Sequence, residues 1–175
     1  MRVLIVNAYD NMGGAARASY RLHQSLLDKG IESTMLVQNK FGDDFNVESY
    51  TKSTFQNFFE KIRSILDNFP VKIYRNRTKT LFSPSWIGFN NVVEKINRIN
   101  PDIVHLHWIS NAMIKIEDLA RIKAPIVWTL HDNWAFTGGC HIMWECEKFK
   151  KECGSCPRLG SKKVKDLSRS VFNRK

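Results

Sequence analysis

Hydrophobic and polar positions along the chain alternate between two periods. Residues 2–7 (RVLIVN) form a short apolar run rich in β-branched side chains, the pattern of a strand buried on both faces. A polar turn with Gly13-Gly14 follows, then Ala15, Ala18, Leu22 and Leu26 recur at helical spacing until Gly30 supplies a stop. Residues 33–38 (STMLVQ) read as a second strand, so the chain opens with a βαβ unit. The stretch 39–54 is polar, with Gly42-Asp43-Asp44, and reads as an exposed connection. Further on, Val92, Val93, Ile96 and Ile99 mark a helix that ends before Asn100-Pro101. IVHLHW (103–108) predicts a strand, Ile116, Leu119, Ala120 and Ile122 a short helix, and IVWTL (126–130), introduced by Pro125, another strand. No repeat, low-complexity tract or long linker interrupts the alternation. The expected class is α/β: a Rossmann-like parallel sheet flanked by helices.

Ligands of open α/β sheets gather at the carboxyl ends of the strands. That rule singles out Asn7 to Gly14, His105 to Trp108, and His131 to Cys140. Gly13-Gly14 opens a helix whose first N–H groups suit an anion; the same dipeptide also serves as a plain tight turn. Two standard phosphate motifs fail. The first turn reads NMGGAA rather than GxGxxG and the second strand lacks a ribose-binding acid, which argues against a nicotinamide dehydrogenase; no GxxxxGK[ST] is present, which excludes a P-loop nucleotidase. His105 and His107 point to one face of their strand, as a metal-ligating pair or, more commonly, a packed and hydrogen-bonded one. His131, at a strand end, is placed to hold a substrate hydroxyl or assist proton transfer, unless it is a structural histidine capped by Asp132.

Composition changes this picture in two ways. With 27 Lys and Arg against 17 Asp and Glu, the net charge of +10 calls for anionic partners. The four cysteines, Cys140, Cys146, Cys153 and Cys156, fall within seventeen residues at spacing C-x5-C-x6-C-x2-C. Four thiolates suit a tetrahedral structural zinc, with His141 as a substitute ligand; disulfides or free thiols are the alternatives. The absence of a secretory h-region or of an apolar run of ~18 residues predicts a cytoplasmic protein.

The strings MRVLIVNAYDNMGGAARASYRLHQSLLDKG, PDIVHLHW and WTLHDNWAFTGGCHIMWEC…CGSCPRL resemble glycosyltransferase family 4, in particular its bacterial exopolysaccharide, capsule and lipopolysaccharide members. The resemblance runs over essentially the whole chain. It implies one half of a GT-B fold, in which an acceptor-side domain faces a donor-binding domain across a cleft. Residues 1–175 correspond to the N-terminal, acceptor-side domain, with a Cys-rich loop at 138–160. The C-terminal donor-binding domain and its ExxxxxxxE element have no counterpart, so the chain is expected to be inactive alone. The resemblance further implies retaining transfer from a nucleotide-sugar to a glycan or lipid-linked acceptor. Gly13 and Gly14 would approach the donor diphosphate, His131 would be the catalytic-site histidine touching the transferred sugar, and Asp132, His107 and Trp108 would line the acceptor pocket.

Two further surfaces bear on partners. Phe55, Phe58, Phe59, Ile62, Ile65, Leu66 and Phe69 share one helical face, with Lys61, Arg63, Lys72, Arg75, Arg77 and Lys79 beside or after it. Such a basic amphipathic helix (55–79) suits an anionic membrane surface, which would make the protein peripheral at the inner face of the membrane; an ordinary core-facing helix has the same pattern. From Glu145 to Lys175 there are ten Lys or Arg against four Asp or Glu. A zinc-containing nucleic-acid-binding module would explain that charge, but no recognition helix or RNA-binding signature accompanies it. A non-catalytic membrane-docking partner is the third reading.

Overall fold

The computed structural model describes the backbone of residues 1–50, 54–88 and 91–175, and side chains over the same residues except 54–61. Five parallel strands are described: β1 (Arg2–Tyr9), β2 (Glu32–Asn39), β3 (Val47–Ser49), β4 (Ile103–Leu106) and β5 (Ile126–Trp128). They lie in the order β3-β2-β1-β4-β5. β1 pairs with β2 from Arg2↔Glu32 to Tyr9↔Asn39, and with β4 from Val3↔Ile103 to Val6↔Leu106. The helices are α1 (Gly14–Asp28), α2 (Thr54–Lys72), α3 (Val92–Ile99) and α4 (Leu167–Phe172), with 3-10 turns at Ile116–Arg121, Trp134–Phe136 and Lys148–Lys150.

The alternation of side chains along β1 builds two hydrophobic layers. Leu4, Val6 and Ala8 join Leu36, Val104 and Leu106 against Val92, Val93 and Ile96 of α3. Val3 and Ile5 point the other way, with Met35, Val37 and Val47, onto Tyr20, Leu22 and Leu26 of α1. A strand buried on both faces must be apolar at consecutive positions, which is why residues 2–7 carry no alternation. β5 is the edge strand and keeps Ile126 and Val127 half-exposed.

Three local expectations are corrected. The polar stretch 39–54 is not wholly a loop, because Val47 is buried and β3 pairs Met35↔Val47 on the sheet edge; a single inward side chain gives no periodicity to read. The strands at 103–108 and 126–130 are shorter, ending at Leu106 and Trp128, and the helix at 116–122 is a 3-10 turn. In the basic helix, Arg63 is buried while Ile65, Leu66 and Phe69 are exposed, so this half of α2 does not turn its apolar stripe to the core. The side chains of Phe55, Phe58, Phe59 and Lys61 lie outside the described residues.

Candidate active site at the strand carboxyl ends

The strand order reverses direction at β1. The chain runs outward from β1 through β2 to β3, then returns to place β4 on the other flank of β1. A crevice opens at such a switch point, because the connections leaving the two neighbours diverge to opposite faces. Its floor is tied by backbone and side-chain bonds: the His107 amide donates to the Val6 carbonyl (2.9 Å), the Ala8 amide to the Trp108 carbonyl (2.8 Å), and the Trp108 amide to Asn7 Oδ1 (2.8 Å). Tyr9 and Trp108 stack above it with ring centroids 6.1 Å apart.

On one flank lies the glycine loop. Gly13 has φ +94°, a conformation that side chains disfavour, and a Cβ on either Gly13 or Gly14 would meet nothing within 4 Å. α1 starts there without a side-chain cap and without an acidic residue in its first turn. Its first N–H groups therefore face an open surface, the arrangement that attracts an anion. Asp10, unremarked in the sequence, is buried and accepts from the Phe41 (2.9 Å) and Gly42 (2.7 Å) amides, pinning the loop after β2 beside the glycines.

On the other flank the histidines meet. His105 and His107 do share a face, with ring centroids 4.5 Å apart. They are packed and hydrogen-bonded rather than poised as a ligand pair: His105 Nε2 lies 2.8 Å from Thr129 Oγ1, and His107 Nδ1 lies 2.8 Å from His131 Nε2. Burial, with the neighbouring His105 and His131 adding to it, pushes the His107 pKa down to about 3. Burial also lowers that of His131, against the pull of Asp132. Both rings are neutral at pH 7. His131 remains exposed at the mouth.

Asp132 does not cap His131. Its carboxylate accepts from Trp108 Nε1 (3.0 Å) and the Trp134 amide (2.8 Å), and sits 2.6 Å from His141 Nδ1. Burial works to raise its pKa, but these hydrogen bonds, His141 foremost, outweigh it and hold the carboxyl below its usual range. His141 Nε2 in turn lies 2.8 Å from Ser83 Oγ. Both nitrogens of His141 are thus engaged, which removes it as a substitute metal ligand. His107, Trp108, His131 and Asp132 line one small pocket with Trp128 and Trp134. Ser83, which holds the far side of this network through His141, gave no sequence signal, because the two come from segments 58 residues apart.

The four cysteines do converge. All are free thiols and all line a single pocket with Met143 and Phe149. The expected zinc centre is not supported, since no three His, Cys, Asp or Glu side chains among the described residues come together as a metal-holding group. The pocket is apolar, and burial lifts the Cys153 thiol to about 11 and raises Cys140 and Cys156. Protonated thiols packed in this way behave as small hydrophobes, and the loop is organised by packing instead. The Gly138 amide donates to Cys153 Sγ (3.2 Å), and a Cβ at Gly138 would lie 2.3 Å from the Ser168 carbonyl of α4. Gly138→Ala is therefore expected to destabilise the fold by about 1–3 kcal/mol, read as a lower urea midpoint. An unchanged midpoint would mean that α4 does not pack here.

Comparison with known proteins agrees with the parallel α/β fold. Residues 12–174 match the family model Glycosyltransferase Family 4. The chain is similar to the putative colanic acid biosynthesis glycosyl transferase WcaC of Escherichia coli (strain K12), 26% identical over 171 residues. That match covers 92% of this chain but only 40% of the relative, so the chain spans less than half of its length. No solved structure matches. With the family model covering nearly all of its length, the chain belongs to glycosyltransferase family 4.

Proposed function

We propose that residues 1–175 form the acceptor side of a retaining glycosyltransferase. It moves a sugar from a nucleotide-sugar to a glycan or lipid-linked acceptor in surface polysaccharide synthesis. The observation that carries this reading is that an uncapped helix start follows β1 and an exposed His131 follows β5, both beyond the carboxyl ends of one parallel sheet. Departure of a nucleoside diphosphate needs N–H donors aimed at its phosphates, and a bare helix start supplies them. Gly13 and Gly14 give the donor diphosphate close approach, His131 contacts the transferred sugar, and Trp108 and Asp132 shape the acceptor side. On this reading the donor clamp belongs to a second domain outside these residues.

The enzyme works peripherally at the cytoplasmic face of a membrane. Supporting this, Ile65, Leu66, Phe69 and Ile73 are 57%, 50%, 59% and 69% exposed along one stripe of α2 and the residue after it. Beside them a groove of about 560 Å³ is lined by Lys72, Arg75, Arg77, Lys79 and Arg158, with no carboxylate among its lining residues. Apolar side chains flanked by cations suit an anionic lipid interface. Among the described residues no helix is long and apolar enough to cross a membrane.

The test has two arms. The 175-residue chain and the longer enzyme are each incubated with a panel of nucleotide-sugars and lipid-linked acceptors; turnover is expected from the longer enzyme alone. Turnover by the 175-residue chain, or none by either, overturns the reading. In the second arm the chain should sediment with vesicles rich in phosphatidylglycerol and not with phosphatidylcholine, and the double variant Arg75→Glu, Lys79→Glu should lose this at least tenfold. Equal binding to both vesicles removes the membrane part.

A further inference from the structure

A hydrogen bond between two neutral imidazoles carries one proton, and which ring owns it decides what the exposed ring offers to a ligand. We infer that His107 donates from Nδ1 to His131 Nε2, fixing His131 as the Nδ1–H tautomer and making His107 a positioning residue of the site. The inference rests on the environment of the other two nitrogens.

His107 is 4% exposed, and its Nε2 is buried without a hydrogen-bond partner in the structure. Were His131 the donor, His107 would carry its proton on that Nε2, leaving a buried N–H with no acceptor. Orphaned buried N–H groups are rarer in proteins than under-satisfied acceptors. With His107 as donor, its only unpaired nitrogen is a bare lone pair. His131 then carries its own proton on Nδ1, on a ring exposed at the crevice mouth, where solvent or a ligand satisfies it.

The His107 main chain is held by two hydrogen bonds and its ring by packing. Its amide donates to the Val6 carbonyl (2.9 Å), its carbonyl accepts from Trp128 Nε1 (3.0 Å), and its ring packs on His105, itself anchored to Thr129. The pair also resists protonation. A proton added to the relay must reside on the buried His107 Nε2, beside His105 and His131, where burial disfavours charge. His131 is therefore a fixed N–H donor over the ordinary pH range rather than a general base. On an exposed ring that lines one pocket with Trp108 and Asp132, that donor suits a sugar hydroxyl or a phosphate oxygen. This last role rests on the transferase reading; the tautomer does not.

Long-range proton–nitrogen correlation spectra of the ¹⁵N-labelled chain at pH 7 read the tautomer directly, with the His131→Ala variant assigning the signals. His131 should show a protonated Nδ1 and a bare Nε2. His107→Asn, whose carboxamide N–H takes the place of Nδ1–H, should keep that pattern. His107→Phe, with no donor, should return His131 to the Nε2–H form that free histidine prefers. An Nε2–H His131 in the wild-type chain overturns the inference, as does an unchanged tautomer in His107→Phe. Should His107→Phe not fold, the wild-type spectrum and His107→Asn decide. Loss of sugar transfer in the first experiment would leave these spectra as they are, so the two readings fail separately.

Discussion

Replacing His131 by Ala is expected, on the transferase function proposed above, to lower kcat of the longer enzyme by about 100-fold or more, the scale of removing one preorganised donor from a reacting oxygen. Stability should barely follow. His131 is exposed, sits after the end of β5, and gives up one described hydrogen bond, that to His107. The space its ring vacates opens to water, so His107 Nδ1 is resolvated and the cost should stay at about 1 kcal/mol. The measurements are initial transfer rates at saturating substrate and urea unfolding of the 175-residue chain. A variant that transfers at the wild-type rate returns His131 to a structural role. So does one that loses activity only because it unfolds.

The second expected result is acid lability centred on His107. Its folded pKa, about 3, lies below the ordinary value of 6.5. The unfolded chain thus binds a proton at this residue wherever the pH is below 6.5, while the folded chain does not until near 3. Stability falls as pH drops through that window, by up to about 1.4 kcal/mol per pH unit for one such group. Between pH 7 and 5 the loss from His107 should be about 2 kcal/mol. His23, His105 and His131, whose pKa values burial also lowers, add smaller slopes of the same sign. The carboxylates titrate elsewhere. Glu117, held near 2 by the Arg174 guanidinium, and Asp132 stabilise the fold above the ordinary carboxylate pKa and lose that contribution only as pH falls below about 4. Urea midpoints of the wild type and His107→Asn at pH 7 and pH 5 isolate the effect. The variant should gain about 2 kcal/mol on the wild type across that interval. Parallel pH profiles would mean that His107 is not buried as a neutral ring.

The sheet and its helices are legible because burial on both faces forces consecutive apolar residues, as in RVLIVN, and because α3 buries one stripe at helical spacing; α1 is a helix as expected, but its most buried positions are Ala16, Ser19 and His23, and Ala18 of the expected stripe is exposed. The strand-end rule points to His107, Trp108 and His131, which line one pocket, since a parallel sheet brings all its carboxyl ends to one edge. The clustering of the cysteines was equally plain, being a matter of seventeen consecutive residues. What sequence could not assign was partnership. The identity of a side chain limits how many protons it shares, but not with whom, and each decisive partner here is remote: His131 for His107 at 24 residues, Ser83 for His141 at 58, Asn7 for Trp108 at 101. Adjacency in the chain offers Asp132 as a cap for His131, the alternative to a functional histidine, and the tertiary fold gives its carboxylate to His141 and Trp108 instead. The cysteines followed the same logic. Their spacing allowed a thiolate cage, whereas in the fold they line an apolar pocket where burial raises the Cys140, Cys153 and Cys156 thiols above their ordinary range. Backbone periodicity is a local property carried by neighbours in the chain; protonation, tautomer and charge depend on what long-range packing brings within about 3 Å, and only the folded structure settles that.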